Sequence, residues 1–196
     1  SRFDKPNDIG AVLQTQTIQL CVTVVFRQLN GKQGAVDVLD VVRRYDIDGV
    51  HIDDYFYPYP IDAPGAGAGA ETAALDAGNG AAKRELSFPD EPSWQQYLLA
   101  GGQLDRPSWR RQNVNQLIEA LYTGIHREKS WVRFGISPFG IGRPDRRPAG
   151  IVGFSQYDKL YADAELWLAK GWLDYLSPQL YWPVAQAPQA FGVQIG

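Results

Sequence analysis

The sequence predicts an α/β fold in which short buried strands alternate with amphipathic helices. Three observations support this class. Apolar runs rich in β-branched residues recur along the chain, segments with helical spacing lie between them, and polar or aromatic residues follow each run. Strand and helix in alternation predict parallel strands joined by right-handed crossovers.

The first half of the chain supplies two strands and one helix. Residues 18–26, IQLCVTVVF, form the first predicted strand, and residues 47–53, IDGVHID, form the second. Between them the stretch GAVDVLDVVRRY places valines and a tyrosine at the i, i+3, i+4, i+7 spacing of an amphipathic helix.

A long polar segment then runs from about Tyr55 to Arg106, and no helix or strand is predicted within it. Its centre, residues 63–82, is rich in glycine and alanine and has few large apolar residues. This composition predicts a flexible surface insertion.

The second half supplies two helices and two strands. A helix is predicted from about Ser108 to Lys129, and a strand over residues 131–137, WVRFGIS. One further helix begins at SQYD, which resembles a capping box, and runs to about Leu168, with Gly171 placed to end it. The last predicted strand is LDYLSPQLYW, residues 173–182.

Composition and charge are those of a globular domain. Of the 196 residues, 44% are hydrophobic and 21% are charged, and the formal net charge is -3. Without a basic excess, nucleic acid is not an expected partner. No apolar run approaches the roughly 20 residues that span a bilayer, and the residues after Ser1 do not resemble a signal peptide.

Aromatic residues make up 12% of the chain, with six tryptophans and ten tyrosines. Core packing accounts for some of them, but those that follow strand ends are also suited to stacking on sugar rings. The single cysteine, Cys21, lies in the first apolar run and is predicted to be a buried thiol.

Two architectures fit the alternation: an open doubly wound sheet and a (β/α) barrel of the TIM type. No glycine-rich phosphate turn opens a helix directly after a strand, which disfavours the open sheet. Polar and aromatic strand ends favour the barrel, because its catalytic face is built from those ends. A full barrel takes about 250 residues, so four strands and three helices predict a central part of one, forming a single domain. We expect this part alone to be inactive and poorly stable, because its edge strands lack partners.

The stretch YDIDGVHIDDYFYPYP places two aspartates where the second strand ends. Side chains alternate across a strand, so Val50 and Ile52 share the face that packs on helices. His51 and Asp53 then face the barrel axis, with Asp53 nearest the C-terminal mouth. We predict that Asp53 is catalytic, with a turn cap as the alternative; for Asp54 both interpretations are equally supported.

This stretch and four later ones resemble, in the same order, the glycosyl hydrolase-like 10 family of bacterial (β/α)-barrel proteins. The later stretches are FPDEPSWQQY, WRRQNVNQLIEALYTGIHREK, FGISPFGI and YDKLYADAELWLAKGWLDYLSPQLYWP. The likeness covers about residues 36–183, and its motifs are long. Earlier residues match poorly, since RQLNGKQG stands where the family has a Trp-Leu-Asn-Pro-Gly-like turn.

The resemblance implies a glycoside hydrolase that acts on a bacterial glycan, of the peptidoglycan type or another polysaccharide, in the periplasm or outside the cell. By position, Asp53 would be the principal catalytic carboxylate. DGVHIDDY also resembles the D-G-x-D-x-D-x-E strand of family 18 chitinases, but Tyr55 stands in place of the chitinase acid. That family's proton donor is therefore not carried over.

Most glycosidases need a second carboxyl group, about 5–5.5 Å away to retain configuration or about 6.5–9.5 Å away to invert it. GISPFG brings no acid, and SPQLYW offers Gln179 instead. Besides a residue on another strand, the remaining candidates are Asp54, Asp90, Glu91 and Asp145. Other acids are predicted to lie elsewhere: Asp163 and Glu165 on a helix surface, and Asp48 and Asp174 at strand starts, where they serve stability.

Substrate-binding residues are predicted around the strand ends: His51, Tyr55, Tyr57, Tyr59, Arg111, Asn113, Ser137, Gln179, Tyr181 and Trp182. Three are placed to bind sugar hydroxyls, namely Ser137, Gln179 and Tyr181. Three are placed to stack on sugar rings, with packing of the loops as the alternative, namely Tyr57, Tyr59 and Trp182.

Two further features each have two interpretations. His51 is placed to hydrogen-bond Asp53, or else to be a satisfied interior histidine. Arg110 and Arg111 begin a helix whose N-terminus favours anions, such as a carboxylated sugar, or else form a solvated first turn.

The sequence has no His/Cys ligand cluster and no H-E-x-x-H spacing, so no catalytic metal or other cofactor is predicted. Two other functions remain open. One is a carbohydrate-binding barrel without catalysis, which the missing second acid permits. The other is a metal-dependent deacetylase or nuclease with His51, Asp53 and Asp54 as ligands.

The segment from Ala63 to Ala82 is expected to be the first site of proteolytic cleavage. Its side chains bury too little apolar surface to offset the entropy cost of ordering the backbone. Limited proteolysis followed by mass spectrometry locates the first cut. Strong amide-exchange protection across this segment would contradict the prediction.

Overall fold

The computed structural model describes residues 21–24, 31–61 and 85–183. Four strands form one sheet in the order β1-β2-β3-β4, and every neighbouring pair is parallel. The strands are β1 (Cys21–Val24), β2 (Gly49–Ile52), β3 (Arg133–Ile136) and β4 (Tyr175–Leu176). The predicted α/β class is confirmed, while the predicted insertion over residues 63–82 lies outside the described residues.

Five α-helices occupy the described part of the chain. They are α1 (Gly31–Arg44), α2 (Glu91–Leu99), α3 (Arg106–Glu128), α4 (Gln156–Lys159) and α5 (Ala164–Lys170), with a 3₁₀ turn at Pro144–Arg146. Asp105 caps α3 by accepting a hydrogen bond from the backbone N–H of Ser108 at 2.7 Å. This cap and Pro107 start the helix two residues before the predicted position.

Helix α2 was not predicted, and it lies within the segment predicted to be irregular. None of its residues is buried, so the helix leaves no apolar stripe in the sequence. Its aromatic side chains instead pack on the start of α3: Trp94 and Tyr97 both contact the Trp109 ring, with centroids 5.3 and 5.8 Å away.

The single helix predicted after residue 155 is wrong, because the structure has two helices there. Ser155 caps α4 and Gly171 ends α5 with a φ of 65°, both as predicted. Between the helices Tyr161 has a φ of 56°, which no α-helix accommodates. Asp163 then caps α5 by accepting from the N–H of Leu166 at 3.2 Å. An aspartate favours such a cap over a helix interior, so Asp163 is buried rather than on the surface.

The core lies between the sheet and the helices. Val50, Ile52, Phe134 and Ile136 all point to this side and are buried against Ile118, Leu121 and Ile125 of α3. These are the even-numbered residues of β2 and β3, so the predicted alternation is confirmed. The odd-numbered residues project from the opposite face of the sheet.

Hydrogen bonds at the strand starts tie neighbouring elements together. Asp174 accepts a hydrogen bond from the backbone N–H of Phe134 at 2.7 Å and lies 3.3 Å from the His126 ring. The backbone carbonyl of Asp48 accepts from the N–H of Arg133 at 2.9 Å. Across residues 31–61 and 85–183, none of the helices combines the length and apolar character that a bilayer span requires.

Replacing Asn115 with leucine should destabilise the fold. The fully buried Trp167 indole donates its N–H to Asn115 Oδ1 at 2.6 Å, and a buried donor without an acceptor costs about 1–3 kcal/mol. Urea unfolding measures the loss against Gln116→Leu, the exposed neighbour on α3. Equal midpoints for the two variants would show that the indole bond contributes nothing.

Candidate active site

The carboxyl ends of β2, β3 and β4 carry a connected set of polar side chains. The strand register aligns His51 with Gly135 and Gly135 with Tyr175. A Cβ on Gly135 would lie 2.0 Å from the Tyr175 ring, so this glycine lets the tyrosine cross β3. Tyr175 thereby reaches His51, with 3.0 Å between its hydroxyl and Nδ1.

The other ring nitrogen of His51, Nε2, lies 2.7 Å from Ser137 Oγ on the next strand. Both nitrogens are therefore engaged, so of the two interpretations of His51 the hydrogen bond to Asp53 is wrong and the satisfied histidine agrees with the structure. Burial lowers the pKa of His51 and outweighs the opposing effect of the Asp53 charge. The His51 ring is thus neutral at pH 7. It connects β2 to Tyr175 of β4 and to Ser137, the residue that follows β3.

Asp53 lies two residues after His51, nearer the carboxyl edge of the sheet. Its carboxylate is held through one oxygen. Oδ1 accepts from the backbone N–H of Asp54 at 2.9 Å and from Nε2 of Gln179 at 2.7 Å. The same Gln179 nitrogen also donates to the Ser137 carbonyl at 3.0 Å. Asp53, Ser137 and Gln179, predicted separately, are thus brought together across three strand ends.

Asp54 is only 3% exposed, and the Gln179 amide hydrogen-bonds to it as well as to Asp53. Burial raises its pKa, against the lowering effect of a hydrogen bond from the Tyr59 hydroxyl. Burial also raises the pKa of that hydroxyl, and the bond to Asp54 raises it further. The two adjacent aspartates therefore have different surroundings: one partly open to solvent, the other enclosed.

The other candidate acids are all paired with arginines. Asp90 is buried against Arg106 and Arg110. Burial would raise the pKa of Asp90, but the hydrogen bonds from the two arginines outweigh it and lower the pKa. Glu91 and Asp145 are exposed, and hydrogen bonds lower the pKa of both. A carboxyl with a lowered pKa is a poor proton donor at neutral pH.

The arginines at the start of α3 do not form a solvated turn. Arg110 is buried, donates to both Asp90 oxygens at 2.7 and 2.8 Å, and donates to the Tyr161 hydroxyl at 2.6 Å. Arg111 is half-buried, and its guanidinium lies 4.3 Å from the Tyr157 ring centroid. Neither guanidinium is therefore a simple surface charge.

The predicted aromatic residues divide into packed and exposed rings. Tyr57 makes edge contacts with Phe88 and Tyr161, with centroids 5.1 and 4.9 Å away, and Asn113 hydrogen-bonds to its hydroxyl. Trp182 packs edge-on against Phe139 at 5.6 Å. By contrast, Tyr181 is 85% exposed and Tyr55 is 48% exposed. Tyr57 and Trp182 therefore pack within the protein, whereas Tyr181 and Tyr55 present exposed ring surface.

A pocket of about 780 Å³ lies beside this set, lined by Tyr57, Tyr59, Phe88, Arg110, Lys159 and Tyr161 among others. Tyr59 belongs to both regions, because its ring lines the pocket and its hydroxyl bonds to Asp54. In the parts of the chain that the structure describes, no three His, Cys, Asp or Glu residues converge as metal ligands.

Tyr175 was not predicted as a site residue, although the sequence pattern contains a signal for it. By alternation, Tyr175 of β4 shares a face with Ser177 and Gln179 in the segment that follows, just as Gly135 of β3 does with Ser137. The ion pair between Asp90 and Arg110 was also not predicted, because a separation of twenty residues that includes all of α2 has no periodic pattern.

Comparison with known proteins places the chain in a family. The family model described as glycosyl hydrolase-like 10 matches residues 34–194, and a second model, Gp37 protein, matches residues 1–55. The chain is 40% identical over 159 residues to glycosyl hydrolase YngK of Bacillus subtilis (79% of this chain, 26% of that protein). It is 33% identical over 159 residues to glycosyl hydrolase DigH of Escherichia coli K12 (80% of this chain, 30% of that protein).

The fold and the match over most of its length define a glycosyl hydrolase-like protein. The chain belongs to the glycosyl hydrolase-like 10 family. It spans between a quarter and a third of the length of these curated relatives.

Replacing Asp54 with asparagine should stabilise the protein at pH 7 and remove part of its pH dependence. Because the folded-state pKa of Asp54 is raised, its stabilising contribution is full below the unfolded aspartate pKa of about 3.9 and is lost as pH rises through the raised pKa. Asparagine keeps an acceptor for Tyr59 without the buried charge.

Chemical denaturation from pH 3 to pH 8 measures this difference, with Glu119→Gln, an exposed acid on α3, as the control. The gain of Asp54→Asn over the wild type should grow with pH, and the control should show none. If Asp54→Asn raises the free energy of unfolding by the same amount at every pH, or lowers it at pH 7, the raised pKa of Asp54 would be contradicted.

Proposed function

We propose that this chain is part of a (β/α)-barrel glycoside hydrolase that cleaves glycosidic bonds of a bacterial glycan outside the cytoplasm, with Asp53 as the principal catalytic carboxylate. The family and the names of the relatives support glycosyl hydrolase chemistry. The observation that carries the proposal is the fixed Asp53 carboxylate at the carboxyl edge of the sheet.

The barrel part of the proposal is supported by the sheet itself. Its strands are all parallel and follow chain order, as the strands of a (β/α) barrel do, with helices on the outer side. An open doubly wound sheet would instead reverse strand order at a switch point, and the described strands show no reversal. The polar set then lies where barrel enzymes place their catalytic residues.

Asp53 is suited to stabilise positive charge that develops on a sugar ring. Its two N–H donors offset the desolvation that a bound substrate imposes on the carboxylate. In a glycosidase such a group either attacks the anomeric carbon or stabilises the oxocarbenium-like transition state. Asp54, enclosed and bonded to Tyr59, is proposed to support the loop that carries Tyr55, Tyr57 and Tyr59.

Substrate contacts are proposed on both sides of Asp53. The open rings of Tyr55 and Tyr181 provide faces on which a pyranose can stack. The pocket next to Tyr59 is large enough for a sugar unit and is lined by rings with a few polar groups, as carbohydrate-binding pockets are.

A carbohydrate-binding barrel without catalysis is the second candidate. It is favoured by the state of the candidate acids: within the described residues, Asp90, Glu91 and Asp145 are paired with arginines and Asp54 is enclosed. Turnover of a labelled glycan separates the two functions. The metal-dependent alternative is not supported, because both His51 nitrogens are engaged by Ser137 and Tyr175.

Asp53→Asn in the full-length protein should abolish most activity and leave binding intact. The substitution preserves shape and removes the charge, and lost charge stabilisation commonly lowers the rate by about 10²–10³-fold, with a true nucleophile costing more. Turnover is measured on a panel of polysaccharides and peptidoglycan strands, and binding by calorimetry. Asp54→Asn is the matched neighbour, with a smaller effect on turnover expected. Equal turnover by Asp53→Asn and wild type would remove Asp53 from the mechanism.

A further inference from the structure

We infer that Gln179 is a positioning residue that fixes the Asp53 carboxylate, so that Asp53 reacts through Oδ2. This inference rests on the proposed function of Asp53. The sequence pattern alone assigned Gln179 to sugar hydroxyls, and the geometry points to a different role.

The donor capacity of the Gln179 side chain is fully used inside the protein. Its amide nitrogen carries two hydrogens, and it donates to Asp53 Oδ1 at 2.7 Å and to the Ser137 carbonyl at 3.0 Å. A side chain that holds two acceptors on two different strand ends has no N–H left for a substrate. As a hydrogen-bond donor it therefore acts on the substrate through Asp53, and only its Oε1 is left to accept from a sugar hydroxyl.

The backbone of Gln179 is itself anchored against the segment that follows β3. Its N–H donates to the Pro138 carbonyl at 2.9 Å, and Phe139 and Gln179 form a parallel bridge. A Cβ on Gly140 would lie 2.3 Å from the Gln179 carbonyl oxygen, so this glycine permits the close approach. The side-chain amide of Gln179 therefore extends from a backbone segment that these contacts hold in place.

The consequence for Asp53 is an asymmetric carboxylate. The hydrogen bonds that the described residues make to it, from the Asp54 N–H and from Gln179, both fall on Oδ1. Two donors on one oxygen fix the plane of the group. Oδ2 is then the oxygen that faces an anomeric carbon. The hydrogen bonds to Oδ1 set the direction in which the lone pairs of Oδ2 point.

Ser137 connects the Asp53–Gln179 pair to the His51–Tyr175 pair. Its carbonyl accepts from Gln179, while its hydroxyl lies 2.7 Å from His51 Nε2, and His51 is in turn bonded to Tyr175. The three strand ends are thereby fixed relative to one another. A change in the Gln179 amide would therefore alter the position of the Asp53 carboxylate before it alters the core.

The test compares Gln179→Met, Gln179→Glu and the exposed control Gln116→Met in the full-length protein, with the glycan that the wild type turns over as the probe. Methionine keeps length and removes both donors. We expect kcat to fall about 10- to 100-fold, as for a lost hydrogen bond to a charged group, with KM, melting temperature and the control unchanged.

Gln179→Glu supplies a readout that a structural role would not move. Near pH 7 the glutamate is ionised, donates nothing and repels Asp53; as pH falls it becomes protonated and donates an O–H to Oδ1. Its activity relative to wild type should therefore rise toward acid pH. The other groups facing Asp53 that titrate or carry charge are His51, Asp54 and Tyr59. Because Gln179 also hydrogen-bonds to Asp54, the same ratio measured in the Asp54→Asn background separates the effect on Asp53 from an effect on Asp54.

The outcomes separate this inference from the proposed function. Loss of activity in Asp53→Asn together with full kcat in Gln179→Met would overturn the positioning role and leave the function of Asp53 intact. A raised KM with unchanged kcat in Gln179→Met would return Gln179 to substrate binding. A flat activity ratio for Gln179→Glu across pH would also count against the inference.

Discussion

The parallel register of β2, β3 and β4 is the constraint on which the site depends. Because the three strands are aligned without offset, His51, Gly135 and Tyr175 form one row across the sheet. The next residues on the same face begin a second row with Asp53 and Ser137. A shift of one residue in any strand would turn these side chains into the helix-packed core. The apolar even-numbered residues that fill that core therefore also determine which polar groups meet at the open face.

A second interaction positions the loops around the site. The buried Asp90 carboxylate binds Arg110 on α3 and so joins the segment before α2 to the start of α3. Arg110 extends the connection to Tyr161 between α4 and α5. Removing one partner of such a buried pair typically costs about 3–5 kcal/mol, since the other charge is left uncompensated. The ring of Tyr57 packs inside this arrangement, so the loop after β2 is held by charge as well as by apolar contact.

The sequence predicted the periodic features of the molecule and missed those that depend on distant partners. Alternation predicted that Val50 and Ile52 are buried and that His51 and Asp53 share the other face, and both hold. Patterns did not show that the predicted helix breaks at Tyr161, whose φ is positive and whose hydroxyl accepts from Arg110, 51 residues earlier in the chain. The partners of His51 and Asp53 were equally out of reach, since residues over eighty positions away supply them.

The contrast between the adjacent aspartates shows what the strand end contributes. Both residues follow Ile52, the last residue of β2, yet they have different surroundings. Asp53 accepts hydrogen bonds from the backbone N–H of Asp54 and from the Gln179 amide. Asp54 is enclosed, so burial favours its neutral form, and the Tyr59 hydroxyl is a donor to it. A single dipeptide thus supplies a carboxylate to the open face and a tether for the aromatic loop.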